Sequence, residues 1–349
     1  MKQNIVFTGK LAEDLGKAVG AVRHDRLFCL TDETTLQLCW PLVKDVPAMR
    51  DARMITIKAG DEHKTLESLS SVWSALQQGG ATRRSLMVNL GGGMVTDLGG
   101  FAASTFKRGM AYINVPTTLL SQVDASVGGK TGVNFGGLKN EIGVFSEADT
   151  VIIATDFLRS LDEENLLSGY AEMLKHGLLD TEAHWASLMQ EPFELFDGEE
   201  GRALIERSVA VKERIVTEDP TEKGLRKALN LGHTVGHALE SLALKRQQPV
   251  LHGYAVAWGL VSELFLSNIK EQFPTDRLRQ MTRYIFDHYG KMAITCDDYP
   301  VLLELMSHDK KNEAGVINFT LLGGIGDIRI NRQATKEEIY ESLDFYRES

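Results

Sequence analysis

The stretch Val88-Asn89-Leu90-Gly91-Gly92-Gly93-Met94-Val95-Thr96-Asp97-Leu98-Gly99-Gly100 constrains this chain more than any other. A mostly apolar run, Leu86 to Leu90, leads straight into a glycine cluster, and helix-compatible sequence follows. The order reads strand, turn, helix. Glycines at such a turn permit positive φ. They also let backbone N–H groups approach a phosphate closely, with the positive end of the next helix behind them. The spacing is not GxGxxG, and a plain tight turn uses glycine in the same way. The position directly after a strand favours the nucleotide-binding reading.

The surrounding residues repeat that alternation. Lys2–Phe7, Arg26–Leu30, Met54–Ile57, Leu86–Leu90 and Ala111–Val115 read as strands. Thr65–Gly79 has helical spacing, with Leu66, Leu69, Val72, Trp73 and Leu76 on one face and Gly79-Gly80 as its stop. Strands alternating with helices predict a mostly parallel sheet covered on both faces. After about residue 155 the texture becomes long and amphipathic. Leu161–Leu179, Thr181–Gln190, Glu200–Val216, Thr234–Lys245, Gly253–Ser267 and Arg277–His288 all read as helices, with Val316–Leu322 as a late hairpin or edge strand. At 349 residues the chain is too long for one core of ordinary size. The expected fold class is therefore α/β: an N-terminal Rossmann-like nucleotide-binding domain over residues 1–155, then a mostly α-helical metal-binding domain over 156–349.

Several function classes are disfavoured. The formal net charge of −10 argues against non-specific nucleic-acid binding. Ala255–Leu266 is the nearest approach to a membrane span, but Ser262 and Glu263 interrupt it, so a buried helix is expected. The N-terminal MKQNIVFTGK has no long apolar run and no small-residue cleavage site, which predicts a cytoplasmic protein. Cys29, Cys39 and Cys296 form no CxxC pair, and ordinary core thiols are expected.

Three other stretches carry chemistry. Pro116-Thr117-Thr118-Leu119-Leu120 follows a strand, and its hydroxyls suit either a nucleotide or a helix cap. Asp124-Ala125-Ser126-Val127-Gly128-Gly129-Lys130-Thr131-Gly132-Val133-Asn134 invites a P-loop reading, but the first glycine of GxxxxGK[ST] is missing. With Lys139-Asn140 and Arg108, this stretch suits a phosphorylated substrate or a solvated loop. Finally, His233 and His237 are four apart and share a helix face; His252 follows, and Glu172 lies in GYAEMLKH. One Glu plus two His with an open position is the composition of a catalytic zinc site, although a lone HxxxH is as often a satisfied core or surface pair.

Taken in order, NLGGGMVTDLGGFAA, VPTTLLSQVDASVGGKTGVN, GYAEMLKHG, RKALNLGHTVGHALE, LHGYAVAWG and DKK resemble the 3-dehydroquinate synthases of the sugar-phosphate cyclase group, from about Gly60 to Gly326. The resemblance implies conversion of the keto-acid phosphate DAHP to 3-dehydroquinate and phosphate in the shikimate pathway. The family transiently oxidises a ring hydroxyl with NAD, eliminates phosphate, returns the hydride and closes a carbocycle. It implies NAD and zinc, with cobalt as an alternative metal, and a cytoplasmic homodimer. Glu172, His233 and His252 would bind the metal. Gly92, Gly93, Met94, Asp97, Thr117, Thr118 and Leu120 would hold NAD, with Asp32 and Lys64 near its adenosine half, Lys139 near the nicotinamide and Lys130 close by. Asp124, Lys130, Asn140, Lys175, Lys212, Arg226, Asn230 and His237 would surround the substrate, with Lys310 or Lys311. Arg108 would reach the substrate phosphate of the partner subunit. Departures from the common pattern fall at Asp61, Glu141, Val144-Phe145-Ser146 and Tyr254, and touch none of these groups.

Overall fold

Strands of five to eight residues build the sheets of the first unit. In chain order they are β1 (Asn4–Thr8), β2 (Leu27–Asp32), β3 (Arg53–Ile57), β4 (Leu86–Gly91) and β5 (Ala111–Pro116), then the hairpin strands β6 (Lys130–Phe135) and β7 (Leu138–Phe145), then β8 (Thr150–Ala154). In the computed structural model, which describes residues 3–136, 138–190, 196, 198–307 and 317–349, six of them form one sheet in the order β1-β8-β5-β4-β2-β3. Every pairing in that sheet is parallel. β2, β4 and β8 are buried along their whole lengths, and for β2 and β4 this is why the sequence shows mostly apolar runs rather than alternating ones. Helices α1 (Leu11–Ala21), α2 (Glu33–Leu38), α3 (Leu66–Gln78) and α4 (Gly93–Thr105) connect them. Leu15 and Val19 of α1 pack on Cys29, Val88, Ile113 and Ile152 of the sheet. In α3 the Thr65 hydroxyl accepts from Ser68 N–H, and Leu69, Val72 and Leu76 face inward.

The strand order reverses between β2 and β4. From β2 the sheet grows outward through β3, and from β4 it grows the other way through β5. In open parallel sheets the crevice at the carboxyl ends of the strands flanking such a reversal is where ligands bind.

The chain divides into two units: Met1–Asp162 with Leu195–Val209, and Glu163–Glu194 with Ala210–Ser349. The second contains α5 (Glu163–Leu178), α6 (Glu182–Leu188), the later part of α7 (Glu199–Glu218), α8 (His233–Lys245), α9 (His252–Glu271), α10 (Thr275–Tyr289) and α11 (Tyr299–Ser307). An antiparallel hairpin, β9 (Asn318–Gly324) and β10 (Asp327–Gln333), and α12 (Lys336–Glu348) complete it. Val316, expected to open the late strand, lies outside the described residues. Helix α9 is the hub, packing on α5, α8, α10, α12 and β9. It is buried on every side from Ala255 to Leu264, as a helix apolar all round must be. The interrupting Glu263 is itself fully buried, and its carboxylate accepts N–H bonds from Gly232 (2.7 Å) and Val235 (3.0 Å). It thus caps α8, whose own N-cap, Gly232, has no side chain. No helix among the described residues is long and apolar enough to cross a membrane.

Two expectations need correction. Cys29 and Cys39 are buried thiols, but Cys296 is exposed, with its sulfur accepting from the Arg347 guanidinium. The Asp124–Asn134 stretch, whose spacing already ruled out a P-loop, is not a solvated loop throughout. It ends a wide turn and becomes β6, paired antiparallel with β7. Glycines hide the alternation: a Cβ on Gly132 would stand 2.5 Å from the carbonyl oxygen of Ile142 on the facing strand.

Candidate active site

In the first unit the expected nucleotide residues gather at the carboxyl ends of β2, β4 and β5. None of Gly91, Gly92 and Gly93 has positive φ. The glycines are needed for space instead. A Cβ would meet Val95 at 2.6 Å from Gly91, Thr118 at 3.1 Å from Gly92 and Ala125 at 3.2 Å from Gly93. Gly92 caps α4 without a side chain, so the first-turn N–H groups have no side-chain acceptor there and suit an anion. Met94 and Asp97 follow, half-buried, in the first turns of α4. Asp32 ends β2, and its carboxylate accepts the Thr35 N–H at 2.7 Å to cap α2. The Thr117 N–H donates to the Gly91 carbonyl at 3.0 Å, joining the two loops. Thr118 does serve as a cap, accepting from Ser121 N–H at 3.1 Å. Leu120 then leads into a π-helical turn, Ser121–Ala125, that holds half-buried Asp124.

Lys64 is buried, and its ammonium lies 2.5 Å from Asp97 Oδ2 and 2.5 Å from Asn140 Oδ1. It ties the β6–β7 hairpin to α4, drawing together three of the expected site residues. Asn140 has a left-handed backbone (φ 51). Lys139 pairs with Asp61 at 3.2 Å, both half-exposed. Lys130 is exposed at the first position of β6. Arg108 follows Lys107 in a tight left-handed turn (φ 69 and 48) and lines an open groove of about 530 Å³ with Arg83, Tyr112, Phe145 and Glu147.

In the second unit the metal candidates converge. Glu172 and Lys175 sit on α5, His233 and His237 one turn apart on α8, and His252 opens α9. The close helix crossings that bring them together depend on glycine. A Cβ on Gly259 of α9 would collide with the Gly232 carbonyl oxygen and lie 2.6 Å from Gly236 N, and one on Gly253 would collide with Ser168 of α5. Glu172 is fully buried, and among the described residues its oxygens are met by charged and imidazole nitrogens alone. His233 Nε2 lies 3.3 Å and His252 Nε2 3.5 Å from the same Oε1, and the Lys175 ammonium contacts Oε2. Zinc bonds of about 2.0–2.2 Å at tetrahedral angles put neighbouring ligand atoms about 3.3–3.5 Å apart, so both edges at Glu172 Oε1 fit such an ion. With the Lys175 ammonium on Oε2, Oε1 is left facing the two imidazole nitrogens, where a bound cation would meet all three. The His237 ring centre is 5.2 Å from that of His233 and 5.8 Å from that of His252.

Electrostatics follow from these neighbours. Burial alone would raise the Glu172 carboxyl, but the charges of Lys175 and His233 hold it well below the carboxylate range. Burial and then Lys175 push His233 down to about 3 against the pull of Glu172. Burial also pulls on His252, yet Glu172 and Glu240 outweigh it and hold the ring up at about 10.

Of the remaining expected residues, Lys212 is buried on α7, and Arg226 and Asn230 lie in the 3-10 turn Leu225–Asn230. Asp219 shapes that turn by accepting the N–H groups of Gly224 (2.7 Å) and Arg226 (3.1 Å). Lys310 and Lys311 lie outside the described residues. Sequence reasoning passed over Glu222, which accepts from Asn230 Nδ2 at 2.9 Å, and Glu240, 3.5 Å from His252 Nδ1. Nothing marks Glu222 in the sequence, but Glu240 follows His233 and His237 at the i, i+4, i+7 spacing of one helix face.

The fold is that of the sugar-phosphate cyclases. A solved 2-epi-5-epi-valiolone synthase from Streptomyces hygroscopicus, with NAD+ and Zn2+ bound, matches at a TM-score of 0.88 and 25% identity, covering 100% of this chain and 97% of that one. A 2-deoxy-scyllo-inosose synthase complexed with carbaglucose-6-phosphate, NAD+ and Co2+ matches at 0.83 and 22% identity, covering 99% and 96%. Residues 54–168 match the 3-dehydroquinate synthase N-terminal model, and residues 169–312 match the C-terminal one. A 3-dehydroquinate synthase from Parabacteroides distasonis is 53% identical over 348 residues, 100% of this chain and 99% of the relative. The chain belongs to the 3-dehydroquinate synthase family.

Proposed function

We propose that the chain converts DAHP to 3-dehydroquinate and phosphate, as a cytoplasmic homodimer using NAD and zinc, with cobalt as an alternative metal. The observation that carries this reading is the convergence of His233 Nε2, His252 Nε2 and Glu172 Oε1 at 3.3 and 3.5 Å, tetrahedral ligand spacing, in a chain of this family.

Zinc, when bound by Glu172, His233 and His252, would polarise a substrate hydroxyl toward its alkoxide, and NAD would accept and return the hydride. The protein's own groups do the rest. Gly92, Gly93 and Met94 offer the uncapped start of α4 to the dinucleotide pyrophosphate. Thr117, Thr118 and Leu120 bound the same crevice, and Asp32 closes its β2 side while capping α2. Lys64 holds Asp97 and Asn140 in register, so its role is as much positioning as contact. Lys130, Lys139, Lys175, Lys212 and Arg226 supply the cations that a carboxylate and a phosphate require. Asp124 and Asn230 add an acceptor and an amide, His237 exchanges protons with the substrate, and Arg108 reaches the phosphate in the partner subunit.

The test is phosphate release from DAHP with catalytic NAD and zinc, followed beside NADH absorbance. Stoichiometric phosphate without accumulating NADH, lost on adding a chelator, is expected. Steady NADH from a simple polyol, with no phosphate from DAHP, would refute the assignment and make the protein a dehydrogenase.

A further inference from the structure

We propose that Glu240 is a positioning residue of the metal site, holding His252 by its outer ring nitrogen so that Nε2 faces Glu172. The inference rests on the reading of Glu172, His233 and His252 as metal ligands.

Both imidazoles show one pattern. Each turns Nε2 toward Glu172 Oε1 and Nδ1 toward an acceptor. For His233 the acceptor is the Leu231 carbonyl, 3.1 Å away. For His252 it is Glu240 Oε2, 3.5 Å away. An imidazole that binds a cation is neutral and carries one N–H. An acceptor at Nδ1 draws the proton there and leaves the lone pair on Nε2, where a cation needs it. The two rings need different holds because of where they sit. His233 follows Leu231 by two residues and uses its own chain's carbonyl. His252 begins α9, and Leu251 before it caps nothing with its side chain. Its side chain is 28% exposed against 11% for His233, so packing confines it less. Glu240 reaches it from α8, two turns beyond His233, on a helix whose start is fixed by the buried Glu263 carboxylate. The carboxylate therefore links the two helices that carry the histidines.

The test is zinc affinity of metal-free wild type, Glu240→Gln and Glu240→Ala, measured by competition with a chromophoric chelator. Thermal unfolding of each metal-free protein is followed in parallel. Glu240→Ala is expected to weaken zinc binding by about 10–100-fold, and Glu240→Gln, which keeps a neutral acceptor, by less. In a His252→Ala background, Glu240→Ala should cause no further loss, since the ring it orients is gone. Wild-type zinc affinity in both Glu240 variants would overturn the proposal. So would a lowered unfolding temperature with affinity unchanged, which marks a purely structural role. If Glu240→Ala does not fold, Glu240→Gln decides alone. Absence of zinc binding by the wild type would instead refute the metal site itself.

Discussion

Replacing Gly259 with alanine tests whether the α8–α9 crossing sets the spacing of the metal ligands. The added Cβ would collide with the Gly232 carbonyl oxygen and lie 2.6 Å from Gly236 N and 2.9 Å from Gly236 Cα. Carbon atoms rest about 3.5–4.0 Å apart, so the helices must separate locally by about 1 Å. Overpacking of this kind costs about 1–3 kcal/mol, within the 5–15 kcal/mol a domain has in hand, so the protein should fold. At about 2–4 °C per kcal/mol, the midpoint should fall by roughly 2–12 °C. The ligand geometry is less forgiving. His233 neighbours the struck carbonyl and His252 lies two turns before Gly259. Two zinc bonds of about 2.1 Å span about 3.4 Å at a tetrahedral angle and at most about 4.2 Å when straight, so parting the two helices by about 1 Å from tetrahedral spacing exceeds that reach. The two imidazoles could then no longer reach one ion together. Zinc affinity should fall by more than the 10–100-fold typical of losing a partner behind a ligand. The assay is chelator competition on the folded metal-free variant, with thermal unfolding in parallel. Unchanged zinc affinity beside a lowered midpoint would refute the reasoning.

Three further outcomes are expected. His252→Ala should abolish metal-dependent phosphate release and lower zinc content, and unchanged zinc content by elemental analysis would remove His252 from the ligand set. Arg108→Ala should raise KM for DAHP while NAD affinity by calorimetry stays the same; equal loss of both would indicate misfolding. Lys270 lies 2.7 Å from the Glu338 carboxylate and holds its pKa below the ordinary value. A depressed carboxyl contributes stability above its unfolded pKa and loses it as pH falls through the folded one. Lys270→Met should therefore destabilise by about 0.5 kcal/mol at neutral pH, an effect that fades below the carboxylate range. An equal deficit at pH 7 and pH 3 in denaturant titrations would contradict this.

Sheet and helices were legible where one physical signal dominated. β2 and β4 are buried on both faces and read as mostly apolar runs, and α3 buries one stripe between a Thr cap and glycines. β8 went unread because TVIIA is too short to separate from a helical fragment. The β6–β7 hairpin was hidden by glycines that it needs for close strand contact and that mimic a phosphate loop. Of the two reasons read for the glycine triplet, positive φ does not hold: its neighbours need room instead. Glu172, His233 and His252 could be named from composition and resemblance, but spacing along the chain cannot show that three helices bring their atoms within 3.5 Å. Glu240 was readable from its heptad-like offset, yet a glutamate on a helix is ordinary until His252 is placed beside it.

The first unit is not contiguous in the chain. It takes back Leu195–Val209 after the chain has already begun α5 and α6 of the second. Ile205, Ser208 and Val209 of that returning segment are buried, and the Arg202 guanidinium lies over Gly9, just beyond β1. A gene fragment stopped at Asp162 therefore omits part of the unit it appears to encode. On the ribosome the sheet's strands are all synthesised before the last segment of their unit. Any attempt to express the first unit alone must graft residues 195–209 back on, and a break made at the point where the sequence changes texture would omit the buried Ile205 and Val209.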